Sequence, residues 1–467
     1  MRYNSPVTQL AILAVVLLLT TGVRRLLDNY LMQYIPVNVN LSFNSYLPAG
    51  IVGCASGFIG IFLVNLVGFR YIFVFHTLTN MIYASSVVSM FLNGGSGFQT
   101  AAMMLGIIGY YPCRVATLVI VLAYPGEKWK ARALAVFLII EYLSNALGDI
   151  IALRSFGHSS ESERVHYAIV YLVLACISPL LALCIAPSDQ VVRNNGLYLI
   201  SPKTTLKTEI VETGRIFTKK YMLLLIPYMF SYPMLFAIAN LQLPDQLIVA
   251  MYDIGKVLVM IMGQLLDVQW ASRRVRGLIG LLVIVLFYLI SVSLTTVARV
   301  IHYDMTGLDP NWSRDEYNKF IFKVLITQQY KLLLSVLFFA GLISGLIELY
   351  GYWLMGTLTN DLKSSARFVG TYHSFMALGG LVGYQIARSL DFERAAPAYY
   401  VAMATTIVSF GLAYFVVRKI TETNNWSLGR ITRNQESFDK DANVDTEVVA
   451  IIADVKHQHV QSTQSQL

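Results

Sequence analysis

Arg114 stands in the middle of "AAMMLGIIGYYPCRVATLVIVLAY", residues 101–124, a run otherwise apolar enough to enter a bilayer. A guanidinium keeps its proton in proteins. Its charge costs at least about 2.5–3.5 kcal/mol at the centre of a membrane helix, so it needs a partner or a water-filled cavity. Glu141, in "LAVFLIIEYLSNALGDII", is the same kind of misplaced charge on the next apolar run. Asn145 and Asp149 follow it at four-residue steps, so the three make a polar stripe on one helix face. Arg114 and Glu141 are therefore expected to meet inside the first half of the chain. Such a pair can bind a charged solute group or relay a proton, or it can be a structural ion pair that fixes packing. Pro112 removes a backbone donor beside Arg114 and can kink the helix toward a cavity.

The second half offers its own set. Glu348 lies in the otherwise uncharged "GLISGLIELYGYWLMG", and Asp253 and Lys256 sit three apart, able to pair on one helix face. His373 in "FVGTYHSFMALGG" and His76 in "YIFVFHTLTN" are within titration range for a proton relay, though a lone membrane histidine serves more often as a hydrogen-bonded packing residue. Arg24 and Arg25 end an apolar run and are expected to snorkel to the interface. Arg114, Glu141, Asn145, Glu348 and His373 are thus the candidate substrate or proton pathway. Most of the tyrosines read as interface-belt residues, a few as cavity walls; Gly341-x-x-x-Gly345 reads as close helix packing.

What must position these side chains is a membrane bundle. The 467 residues are 56% hydrophobic and 13% charged, about half the charge of a soluble domain. Apolar runs of roughly 20 residues match the helix length that crosses about 30 Å of hydrocarbon. The hydropathy pattern predicts twelve spans, near 8–27, 46–67, 71–92, 98–124, 132–153, 165–186, 221–239, 247–266, 277–299, 329–355, 367–388 and 397–417. Residues 1–186 would form one six-helix bundle and 221–417 another, joined by a polar central loop, 187–220, and followed by a disordered tail, 418–467. Six plus six spans around a basic loop is the plan of the major facilitator fold, whose halves are pseudo-repeats.

The net charge of +8 sits in short loops, as membrane topology predicts, and is not a nucleic-acid signature. Arg70, Lys128, Lys130, Arg132, the Arg193-to-Lys220 set, Arg273, Arg274, Arg276, Lys363, Arg367, Arg418 and Lys419 fall on one side, expected to be cytosolic together with both termini. Asn40 and Asn311 head glycosylation sequons on the other side; a third, at Asn425, lies in the tail. The four cysteines fall in apolar runs and read as small buried hydrophobes rather than disulfide partners. The first apolar run has no small-residue cleavage site, so no cleavable signal peptide is expected. Phosphate-loop, His-Glu-x-x-His, Cys-x-x-Cys and Gly-x-Ser-x-Gly signatures are missing, and no enzyme activity, metal or cofactor is expected.

Two loops look alike. "NLVGFR" and "GQLLDVQWASRRVR" each put a small polar or acidic residue at a helix end with Arg beyond it. Gly263, Leu265 and Asp267 resemble the facilitator loop motif Gly-x-Leu-x-Asp; Asn65, Gly68 and Arg70 resemble a degenerate copy. Asp267 with Arg273 and Arg274, and Asn65 with Arg70, would latch the two bundles on the cytosolic side.

Further stretches, "AYPGEKWKARALAVFLIIEYLSNALG", "APSDQVVRNNG", "TEIVETGRIFTKKYMLLLIPYMFSYPMLFA", "YGYWLMGTLTND" and "SSARFVGTYHSFMALGG", are spread in order over most of the chain. In these the chain resembles the uncoordinated-ninety-three-like, ion-channel regulatory proteins, particularly the fungal members, a branch of the major facilitator superfamily. It departs from that pattern at "TTGVRRLLDN", where the family has a Pro-Gly-Met-Phe-Asn-type end to span one, at Thr117-Leu118 in span four and at Tyr142 to Asn145 in span five. The resemblance implies the facilitator fold. Two functions stand to be weighed: the charges within the spans of both halves favour a secondary transporter of a small solute, with a coupling proton, whereas the resemblance favours a non-transporting regulator or chaperone bound to another membrane protein in the lipid bilayer.

Overall fold

The computed structural model describes residues 3–34, 39–93, 97–125, 129–156, 161–187, 190–191, 204–240, 246–303, 328–359, 362–389 and 392–420. Among these the regular elements are helical throughout. The chain enters α1 (Pro6–Leu17) through an N-cap in which Ser5 Oγ accepts from Thr8 N–H, with Pro6 at a first-turn position that needs no donor. A π-helical turn, Leu18–Gly22, passes the rod on to α2 (Val23–Tyr34). Span one therefore runs past its expected end at residue 27, because Arg24, Arg25 and Asp28 continue the helix instead of breaking it. There follow α3 (Val39–Leu66), α4 (Phe69–Asn93), α5 (Gly97–Ala123), α6 (Lys130–Phe156) and α7 (Glu161–Ala182). Gly68, at φ 91°, ends α3: its N–H and that of Val67 turn back to Leu63 C=O, a left-handed cap that only glycine adopts without strain.

The central stretch holds a helix that its charge had masked, α8 (Leu206–Ile216), N-capped by Thr205. The second half continues with α9 (Lys220–Asn240), α10 (Gln246–Val257), α11 (Val259–Leu266), α12 (Arg273–Tyr303), α13 (Gln328–Leu358), α14 (Leu362–Ser389) and α15 (Phe392–Val417). The predicted span 247–266 is thus broken at Leu258, whose ψ of 0° leaves the α region. Nine helices among the described residues are long and apolar enough to cross a membrane, and Gly50–Leu66 is a shorter apolar segment.

The halves of the chain meet along two seams, α3 against α14 and α6 against α10 and α11. Between apolar helices in lipid, close packing and hydrogen bonds supply the adhesion that the hydrophobic effect supplies in water. Both seams use glycine for it. A Cβ on Gly370 would stand 2.9 Å from Gly57 C=O, and one on Gly263 would stand 2.5 Å from the Ala135 methyl. Gly341 and Gly345 likewise bring α13 against the backbone of α10 at Tyr252 and Lys256. The larger of two apolar cores runs through both halves, from Leu118 and Val119 on α5 to Tyr350 and Leu354 on α13, and a smaller one gathers Leu27, Tyr83, Val87 and Tyr171 within the first half. Cysteine placement departs from expectation. All four are free, but Cys113 alone is buried; Cys176 is exposed because α7 turns most of its surface outward, and Cys184 is exposed in the turn just past its end. Asn40 falls in the first turn of α3. Asn311 and the tail from residue 421 lie outside the described residues.

Candidate functional site

Pro112 on α5 is followed after one residue by Arg114, whose side chain is 6% exposed and points into the seam between the halves. It pairs with Glu141 of α6, as one turn of polar residues in an apolar helix requires. The guanidinium does not stop there. Its Nη2 lies 2.6 Å from Glu348 Oε1, on α13 in the other half of the chain. Tyr142 Oη donates to Glu348 Oε2 at 2.7 Å, and Tyr110 Oη reaches Glu141 Oε1 at 3.4 Å. Sequence reasoning placed the pair within the first half. It named Glu348 as a candidate but not as a partner of Arg114, because nothing in the spacing of residues 234 positions apart reveals contact.

Around this triad the interior stays polar. Lys256 Nζ pairs with Asp253 at 3.3 Å and lies over the Tyr142 and Tyr252 rings, at 4.9 and 4.3 Å. His373 is buried; its Nδ1 is 3.1 Å from Tyr352 Oη, its Nε2 is unpartnered, and its ring is 5.2 Å from that of Tyr111. Asn145 lines a cavity of about 240 Å³ with Thr20, Thr21, Arg24, Arg25, Asp28, His76, Ile107, Tyr110, Tyr111 and Glu141.

Two expectations are corrected by this cavity. Arg24 and Arg25 do not snorkel out. Arg25 Nε donates to the fully buried Asp149 at 2.7 Å, and Arg24 lies between the rings of Tyr83 and Tyr110, at 5.4 and 6.0 Å. The physical reason is that Asp149 gives Arg25 an anion to turn toward, while Asp28 and the faces of Tyr83 and Tyr110 hold Arg24. His76, read as a hydrogen-bonded packing residue, has no partner on either ring nitrogen. The lining residues missed altogether include Asp28, Tyr110 and Tyr111, and also Thr20 and Thr21. The two threonines reach the cavity through the π-helical turn, for which the sequence carries no signal, although such turns recur at functional sites. Among the described residues no three of His, Cys, Asp and Glu gather as a metal set.

The loop acids work differently from the expected latch. Asp267 Oδ1 and Oδ2 accept from the backbone N–H of Ala131 and Arg132, at 3.1 and 2.7 Å. An acid from one half thus caps the N-terminus of α6 in the other, where orphan N–H groups and the helix dipole favour negative charge. Arg273 is buried nearby, whereas Arg274 is exposed. Burial pushes the Asp267 carboxyl up from its ordinary value despite the two backbone donors and the charges of Arg132 and Arg276. Asn65 does not turn to Arg70. Its Nδ2 donates to Glu209 Oε2 at 2.9 Å and reaches Lys363 C=O at 3.4 Å. Glu209, on the unforeseen α8, receives Arg367 of α14 in a two-pronged pair at 2.9 and 2.8 Å, and Thr204 Oγ1 at 2.9 Å. Lys130 Nζ meets Gly356 C=O at 3.3 Å beside them. The end of the molecule that carries the basic loops is therefore closed by contacts between the halves.

No family model matches the chain. Among solved structures, the transporter FucP in its outward conformation overlays with a TM-score of 0.60 at 12% identity, covering 90% of this chain and all of that one. The proton:xylose symporter XylE gives a TM-score of 0.59, also at 12% identity, covering 89% and 97%. The protein is a multi-pass membrane protein with the fold of the major facilitator superfamily. Curated relatives point further. An UNC93-like protein of Schizosaccharomyces pombe is 25% identical over 280 residues, 57% of this chain and only about half, 54%, of that protein's length. UNC93-like protein 1 of Arabidopsis thaliana is 23% identical over 408 residues, 82% of this chain and 84% of its own. The chain resembles the UNC93-like proteins, as its dispersed motifs indicated.

Proposed function

We propose that the protein is a secondary transporter moving a small solute by alternating access. In this reading twelve spans form two six-helix bundles, 1–186 and 221–417, linked by 187–220. Both termini and the tail 418–467 face the cytosol. One observation carries it: Arg114 holds a carboxylate from each half, Glu141 and Glu348, beside a polar cavity. Rocking the halves apart must break one of these contacts, so the charge state of the triad and the conformation are linked. Two carboxylates share one guanidinium, which leaves room for one proton. Protonating Glu348 removes its attraction to Arg114 and so frees the second half, a ready means of proton coupling.

Purified protein in liposomes with an imposed pH gradient should accumulate solute. Glu141→Gln and Glu348→Gln, each of which leaves Arg114 one carboxylate, should abolish accumulation while the protein remains folded. A regulator or chaperone would show no flux, and the same two variants would then change only the capture of a partner membrane protein.

A further inference from the structure

The cavity of about 240 Å³ lies within the first half of the chain, between the α1–α2 rod and α4, α5 and α6. At about 30 Å³ per water-sized group, it holds roughly eight such groups. Most of its charges are already engaged. Arg25 is matched by Asp149 and Glu141 by Arg114. Asp28 accepts Tyr83 Oη at 2.5 Å and stands 3.7 Å from Arg24 Nε, well beyond the 2.7–2.9 Å of a charge-assisted bond. Arg24 Nη1 is left buried without an acceptor. His76, 1% exposed on the same wall, has neither nitrogen partnered. Buried polar atoms are nearly always satisfied, so two such groups set behind the lining of one cavity leave hydrogen-bonding capacity for a ligand to claim.

The donor and acceptor pattern says which kind. A guanidinium nitrogen only donates, and a cation in a low-dielectric wall is best met by an anion. A neutral imidazole presents one donor and one acceptor, which a hydroxyl can answer. Thr20 and Thr21 direct their hydroxyl protons at Val16 and Leu17 C=O, so they offer the cavity lone pairs that accept from solute hydroxyls. Tyr110, Tyr111 and Ile107 supply an apolar face for a short carbon chain.

We propose that this cavity binds a short hydroxylated carboxylate, its carboxylate on Arg24 and a hydroxyl on His76. The proposal rests on the transport reading only in naming what would be carried; the site itself does not require transport.

Binding is tested on the full chain in detergent, by the shift in thermal unfolding midpoint with glycerate, with lactate, and with glycerol as the neutral counterpart. Glycerate and lactate should stabilise the wild type, and glycerol at equal concentration should not. Arg24→Gln should weaken binding about 10- to 100-fold, the worth of one charge-assisted bond. Gly106→Ala provides a second variant should the first fold poorly. A Cβ there would lie 3.1 Å from Arg24 Nη1 and shift it by a few tenths of an ångström, so affinity should fall while the unliganded midpoint stays near that of the wild type. Arg418→Gln, at the far end of α15, should bind normally. Equal stabilisation by glycerol, no shift with either acid, or undiminished binding in Arg24→Gln would each overturn the site. Uptake into liposomes separates the two ideas. Binding without uptake sinks transport and leaves the site standing. Uptake of neutral solutes that neither acid inhibits sinks the site and leaves transport standing.

Discussion

Arg114 Nη2 and Glu348 Oε1 lie 2.6 Å apart although 234 residues separate them, and the bond joins the two halves of the chain through two buried charges. Arg114→Met leaves two buried carboxylates facing each other without a counter-charge. Breaking a buried pair this way costs about 3–5 kcal/mol. Glu141→Gln should be milder, because Glu348 still neutralises the guanidinium. The double variant Arg114→Met, Glu141→Gln should recover only part of the folded yield, since Glu348 remains uncompensated. Adding Glu348→Gln should recover the rest. Folded yield by fluorescence-detected size-exclusion chromatography reads all four; equal losses for the two single variants would show that Glu348 contributes nothing.

Asp267 brings a negative charge to the N-terminus of α6. Asp267→Asn keeps one acceptor oxygen but loses the charge, at a cost of about 0.5–2 kcal/mol. The closed end should open more often without unfolding. A cysteine placed at the buried Thr357 should then react faster with a water-soluble maleimide, and an unchanged rate would refute the cap's role in closure.

Glu209 gives a pH signature. Burial pushes its carboxyl up, but hydrogen bonds from Arg367, Asn65 and Thr204, with the Arg367 charge, outweigh that and hold it below the ordinary value. A carboxyl lowered in the folded state adds stability that is whole above its unfolded value, about 4.3, and is lost as pH falls through the folded one. The gap in unfolding midpoint between wild type and Glu209→Gln should therefore be constant near neutrality and shrink below about pH 4.3. A gap that widens on acidification would reverse the sign.

Orientation is checked by a glycosylation reporter after Arg418. It should stay unmodified, with Asn311 accessible to the transferase; a modified reporter would turn the molecule over.

The membrane class, the facilitator fold and the charges of the interior were legible because each follows from local rules. Runs of apolar residues have a length, and Arg114, Glu141 and Glu348 are out of place within them. Legibility failed wherever the answer depended on contact across the halves. Asp267 was read against its sequence neighbours Arg273 and Arg274, yet its hydrogen bonds come from the backbone of α6. Asn65 was matched to Arg70, but its acid partner came from α8, in a stretch whose charge spoke only of a loop. Arg24 and Arg25 were sent outward by a rule for helix ends that ignores what a neighbouring helix offers.

The π-helical turn at Leu18–Gly22 sets the angular phase of everything after it on the first rod. Each residue advances an α-helix by about 100°, and a π turn absorbs one residue more than an α turn does. Let the rod revert to plain α geometry with every residue kept. Arg24 and Arg25 would then swing by about 100°, away from Tyr110 and Asp149 and toward the outside. The length of that one turn therefore decides whether two cations belong to the interior or to the surrounding lipid. Deleting one of these five residues should therefore let the turn become α-helical and keep both cations inside, whereas inserting a further residue should turn them outward.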